Sequence, residues 1–156
     1  MPDLLLRSPF AGTVRDLATL DDPVFAERIV GDGIALEPGA DAAEIVVLAP
    51  CDGTVAKLFP GGHGIALETD AGPVLIHIGI DTVELKGTGF TVHVADGATV
   101  ALGTPLVAVD LAMVRARGFA ATTPVLGIGG QRVVPMAPPG AVVAAGDPLV
   151  RLEQGR

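Results

Sequence analysis

The chain has no tryptophan and no tyrosine, and only five phenylalanines. Surfaces that stack nucleic-acid bases or sugar rings need aromatic faces, so this scarcity argues against both. Positive charge is also short. The net charge is −8 and Lys57 and Lys86 are the only lysines, which disfavours nucleic acid and anionic membrane and suits a basic protein partner. The single cysteine, Cys51, excludes an internal disulfide and fits a reducing compartment. In APCDGTV it reads as a small buried residue, not a nucleophile. Ser8 is the only serine, and no strained elbow surrounds it. No apolar run approaches the ~18 residues of a membrane span, and the LLL of MPDLLLRSPF is too short for a signal peptide. The expectation is a cytoplasmic protein without membrane insertion.

What is abundant is Gly (21), Pro (13) and hydrophobic residues (49%). Frequent turn formers between short Val/Ile/Leu runs predict an all-β fold, and 156 residues suffice for one core. One domain over 1–156 is expected. Two motifs recur. SPFAGTV (8–14) returns as APCDGTV (49–55), and GATVALGTPLV (97–107) returns as GAVVAAGDPLV (140–150). They suggest two related β-units packed as one sandwich. One or two very short helices are expected between the strands. One is capped by Asp22 with Pro23 at its first position and closed at Gly31 or Gly33, with Phe25, Ile29 and Val30 sharing much of one face. The other, over 110–118, is capped by Asp110 and stopped by Gly118. PMAPPG (135–140) reads as a rigid loop, and the terminal EQGR is expected to fray.

The chain is organised around 61–87, GGHGIALETDAGPVLIHIGIDTVELKG. GIALE (64–68) and VLIHIGI (74–80) read as the strands of a hairpin around TDAGP. Alternation puts Val74, Ile76, Ile78 and Ile80 on one face and Leu75, His77, Gly79 and Asp81 on the other. If opposed residue numbers sum to an even value, His63 and His77 share a face and their side chains meet; an odd sum separates them. The even register is expected.

Several chemistries are excluded by what is missing. There is no nucleotide P-loop, GIGG (127–130) is too short for a dinucleotide fingerprint, and no H-E-x-x-H or paired C-x-x-C occurs. No cofactor or metal is expected. A histidine pair suits phosphoryl relay: one imidazole nitrogen attacks the phosphoryl group while the second ring donates to its oxygens. Phe59, Leu75 and Val83 would wall off water. Two alternatives compete. A zinc hydrolase would use His63, His77 and His93 with an Asp, but the H-x-H pair of such sandwiches is absent. A lipoyl or biotinyl carrier needs a lysine at a hairpin tip, and neither Lys57 nor Lys86 has that context. His93 reads as an exposed strand histidine.

VLIHIGIDTVELKGTGF, with DPVFAERIVGDGIALEP, APCDGTVAKLFPGGHGIAL and GTPLVAVDL in the same order, resembles the glucose-type enzyme IIA family of the bacterial phosphoenolpyruvate-dependent sugar phosphotransferase system. The resemblance covers residues 8 to about 152. It implies a flattened antiparallel β-sandwich with duplicated motifs. It implies that His77 takes a phosphoryl group on Nε2 from the phosphocarrier HPr, helped by His63, and passes it to a cysteine of a IIB domain on a membrane sugar permease. It further implies that Phe25, Ile29, Val30, Phe59, Leu75 and Val83 dock both partners, flanked by Asp22 and Asp81. Monomers and regulatory protein targets are also family traits. The chain departs from the pattern at Gly61, where many relatives have a threonine bonded to the first histidine ring, and at Gly64, where relatives usually have alanine.

Overall fold

The computed structural model describes residues 3–153. Fourteen strands follow in chain order: β1 (Leu4–Arg7), β2 (Gly12–Arg15), β3 (Asp32–Pro38), β4 (Glu44–Leu48), β5 (Gly53–Leu58), β6 (Gly64–Thr69), β7 (Gly72–His77), β8 (Phe90–Val92), β9 (Thr99–Val100), β10 (Pro105–Asp110), β11 (Thr123–Gly127), β12 (Arg132–Pro135), β13 (Val142–Val143) and β14 (Pro148–Glu153). Helix α1 is Pro23–Ala26 and α2 is Leu111–Ala116, with 3-10 turns at Leu17–Thr19 and Thr82–Leu85. Residues 154–156 of the EQGR terminus lie outside the described residues; Glu153 ends β14.

Every described pairing is antiparallel. One sheet of eight strands has the order β13-β2-β3-β11-β7-β6-β5-β9, and two three-stranded sheets run β1-β14-β12 and β4-β10-β8. The expected all-β sandwich is what forms, and the repeats explain its order. Gly12 of the first GTV lies opposite Val143, and Gly53 of the second lies opposite Val100. Each GTV repeat therefore pairs with a G-x-x-V repeat, the outer with the outer and the inner with the inner. β1 on β14 matches β4 on β10 in the same way. The two units meet where β11 pairs with β7, at Val125–Ile76, so the large sheet has a pseudo-twofold at its centre.

The sheet is buried on both faces there. Leu6, Leu36, Ile65, Leu67, Ile76 and Leu106 belong to the main core between the sheets. A second cluster of Leu17, Leu20, Phe25, Ala35, Leu75 and Leu126 covers the opposite face beneath α1. Double burial is why these central strands read as near-continuous apolar runs. Full burial of each large side chain contributes about 1.5–3 kcal/mol.

The helices form where their caps predict, with one difference in length. The Asp22 carboxylate accepts from the Val24 amide at 2.9 Å, with Pro23 at the first helical position. The helix closes at Glu27, before Gly31 or Gly33 is reached. Arg28 takes the left-handed conformation (φ 57°), and the Ile29 amide reaches back to the Val24 carbonyl at 3.0 Å. A side chain in that conformation costs roughly 1–2 kcal/mol. Arg28 holds it while its guanidinium bonds Asp32 at 2.8 Å and Asp16 at 3.3 Å. The early stop breaks the predicted stripe: Phe25 is buried, Val30 is half-buried and Ile29 projects into solvent at 69% exposure. Helix α2 is capped by Asp110, whose carboxylate accepts from the Met113 amide, and Gly118 follows it at φ 86°.

Candidate functional site

β6 and β7 form the predicted hairpin, but the register is odd. Thr69 pairs with Gly72 and Gly64 pairs with His77. The cause is a two-residue turn at Asp70–Ala71. The Thr69 hydroxyl stitches it, accepting from the Ala71 amide and donating to the Gly72 carbonyl. Strict alternation would then put His63 and His77 on opposite faces. Their rings nevertheless meet, with centroids 5.3 Å apart and planes at 74°. His63 lies one residue before β6, after a bend in which Gly61 and Gly62 both take φ 88°, so the pleat does not govern its side chain. Its carbonyl still accepts from the Ile78 amide at 2.6 Å, which ties the bend to the end of β7. The same loss of pleat overturns the expected placing of Ile80. After Gly79 (φ 77°) it packs on the second cluster and not with Val74, Ile76 and Ile78 in the main core.

Both rings are anchored through Nδ1. That of His77 lies 2.8 Å from the Gly79 carbonyl, and that of His63 lies 3.2 Å from the Pro60 carbonyl. A carbonyl only accepts, so each Nδ1 carries a proton and each neutral ring keeps the Nε2 lone pair free. Burial pushes both imidazoles below the ordinary histidine range. For His77 the Gly79 carbonyl, Asp22 and Asp81 oppose the shift, while His63 adds to it. The pair is therefore neutral near pH 7, the form in which a ring nitrogen is a nucleophile.

Apolar side chains surround the rings. Phe25 packs on His77 with centroids 4.9 Å apart, and Phe59 meets His63 edge-on at 5.5 Å. Val83, six residues after His77, is 53% exposed, and Ile29, four residues after Phe25, is 69% exposed. Leu75, expected in the docking ring, is buried at 4% and forms part of the floor; the strand is covered by the second cluster at that point. Asp22 is half-buried and Asp81 exposed, the latter left-handed at φ 61°.

Sequence reasoning missed the groups that hold the rings. Thr82 is buried and its hydroxyl donates to the Ile78 carbonyl, fixing the turn that presents Gly79 to His77. The D-T-V of the motif carries that signal. A third repeat was also legible: DGIALE (32–37) matches HGIALE (63–68), and β3 and β6 occupy equivalent places in the two units. His63 thus stands where the other unit has Asp32.

The competing readings find no support. His93 is exposed, directly after β8, and no group of three or more metal-binding side chains occurs among the described residues. Cys51 is buried and its thiol is pushed up to about 12, chiefly by desolvation. Ser8 is buried, its hydroxyl spent on the Phe10 carbonyl. Among the described residues no helix is long and apolar enough to cross a membrane.

Comparison with known proteins places this arrangement. The family model described as "phosphoenolpyruvate-dependent sugar phosphotransferase system, EIIA 1" matches residues 4–133. A glucose-specific EIIA component of Bacillus cereus is 38% identical over 76% of this chain and 70% of that protein. A glucose-specific EIICBA component of Streptococcus pneumoniae is 45% identical over 78% of this chain, which spans only 16% of that longer protein. A beta-glucoside-specific EIIBCA component of Bacillus subtilis is 41% identical over 78% of this chain and 20% of its own length. The solved structure of glucose permease IIA from Mycoplasma capricolum superposes with a TM-score of 0.85 at 32% identity, covering 97% of this chain and 96% of that one. The chain belongs to the EIIA 1 family of the phosphoenolpyruvate-dependent sugar phosphotransferase system, as a glucose-type phosphocarrier component.

Proposed function

We propose that His77 is the phosphoryl acceptor, through Nε2, and that HPr is its donor. The observation that supports this most is the anchoring of His77 Nδ1 on the Gly79 carbonyl at 2.8 Å. It commits the proton to Nδ1 and so leaves the Nε2 lone pair free before a partner arrives. In the forward step the bond from phosphorus to the HPr imidazole breaks as the bond to Nε2 of His77 forms. The Nδ1 proton stays in place, so the phosphorylated ring remains a good leaving group. A cysteine thiolate of a IIB domain then displaces it and the neutral imidazole returns. Apolar walls at Phe25 and Phe59 keep water from the labile P–N bond.

His63 is the helper that steadies the phosphoryl oxygens. Phe59, Val30, Ile29 and Val83 form the contact ring over a floor of Phe25 and Leu75, with Asp22 and Asp81 at its border. The chain works as one domain over 1–156, and its acceptor is a permease of the glucose, N-acetylglucosamine or β-glucoside class. Incubation with phosphoenolpyruvate, enzyme I and HPr, followed by intact mass, tests the assignment. Wild type is expected to gain one acid-labile phosphate and His77→Ala none. His63→Ala is expected to accept phosphate and pass it to a IIB domain slowly; onward transfer at the wild-type rate would refute the role of His63.

A further inference from the structure

We infer that phosphorylation of His77 is coupled to uptake of a proton by His63, which holds the phosphoryl oxygens as an imidazolium and not as a neutral ring. The inference rests on the proposed roles of the two histidines and deepens them. Its starting point is the 3.2 Å contact between His63 Nδ1 and the Pro60 carbonyl. A hydroxyl partner would let either nitrogen carry the proton, because a hydroxyl both donates and accepts. A carbonyl allows only one arrangement: the proton sits on Nδ1. Residue 61 is glycine and supplies no hydroxyl. Its φ of 88° and the approach of an added Cβ to 2.7 Å from the Gly87 amide nitrogen keep it so. The neutral ring therefore keeps a bare Nε2 beside His77, with the ring centroids 5.3 Å apart, and a lone pair meeting phosphoryl oxygens repels them.

A second proton, taken from solvent onto Nε2, turns that repulsion into a charge-assisted hydrogen bond. The surroundings leave the phosphoryl group as the driving charge. The turn 59–62 carries no charged side chain. β7 contributes His77 itself. Asp22 before α1 and Asp81 after β7 both act on His77, and Glu84 and Lys86 on the adjoining turn are exposed. Before phosphorylation burial keeps His63 neutral; a dianionic phosphoryl group within ~4–6 Å favours the charged ring roughly 10- to 1000-fold. Linkage makes the effect reciprocal: protons bound at His63 strengthen retention of the phosphoryl group on His77.

The test is imidazole ¹⁵N NMR of full-length protein from pH 5.5 to 8.5, before and after phosphorylation, with His63 assigned by comparison with His63→Gln. Phosphate on His77 is verified in the same sample by ³¹P NMR. The expected result is a neutral Nδ1–H ring in the free protein and an imidazolium in the phosphorylated one, with the titration midpoint raised. A phosphorylated protein in which His63 stays neutral, with its proton on Nε2, overturns the inference and leaves the roles of the histidines standing. Absence of phosphate from His77, when HPr is demonstrably phosphorylated, overturns the roles and the inference together.

Discussion

At the scale of single residues, the two histidines are set apart from His93 by burial and by committed Nδ1 protons. Burial lowers the proton affinity of both, and this gives a stability signature with a definite sign. In the unfolded chain these rings protonate below about pH 6.5, whereas in the folded protein they resist until lower pH. The unfolded state therefore binds more protons in that window, and stability falls as the pH drops through it. Above it the contribution is complete. Denaturant midpoints are expected to be flat from pH 8 to about 6.5 and to decline below, and His77→Gln should flatten the decline. Both histidines and their neighbours were legible as residues in a motif. Their meeting was expected, but from the wrong register: the hairpin pairs with odd sums, and the rings come together through a bend at Gly61 and Gly62 that breaks the period-2 reasoning used to place His63.

At the scale of elements, the loops bounding the hairpin do the positioning. In Thr82→Val the shape stays and the hydroxyl bond to the Ile78 carbonyl goes, leaving a buried carbonyl with one partner fewer. A loss of about 1–3 kcal/mol is expected in denaturant unfolding, with slower phosphoryl acceptance as the Gly79 carbonyl loosens its hold. The repeated glycines of DGIALE and HGIALE offer a matched pair. A Cβ at Gly33 would collide with the Val125 carbonyl of the neighbouring strand, whereas at Gly64 it would meet the Phe59 ring at 2.6 Å. A side chain swings more readily than a backbone. Gly64→Ala is expected to fold, at a cost of roughly 1–3 kcal/mol, and Gly33→Ala to lose clearly more; thermal melts of the two compare them directly. The caps at Asp22 and Asp110 were readable in sequence, since their chemistry is local. The stop at Arg28 was not, since it depends on carboxylates at Asp16 and Asp32 that only the fold brings together.

At the scale of the whole molecule, the duplication explains why a chain of short strands closes on itself. The motif repeats predicted a sandwich of two units, and the structure adds the exchange in which the outer repeats pair across the chain. Such long-range pairing leaves no trace in local patterns. The net charge of −8 belongs to this scale too. If HPr is the donor, as proposed above, its docking on this acidic chain is steered by the summed field and is screened by ions. The rate of phosphoryl acceptance from HPr is expected to fall as salt is added, chiefly through association, with the single-turnover rate at saturating HPr little changed.

The most direct measurement is ³¹P–¹⁵N correlation NMR on the protein phosphorylated by phosphoenolpyruvate, enzyme I and HPr. It reports which nitrogen of which ring carries phosphorus. One phosphohistidine, bonded at Nε2 of His77 with Nδ1 still protonated, is the predicted result. Phosphorus on His63, or on Nδ1 of His77, would contradict the account, since both Nδ1 protons are held by backbone carbonyls and only His77 is assigned the transfer.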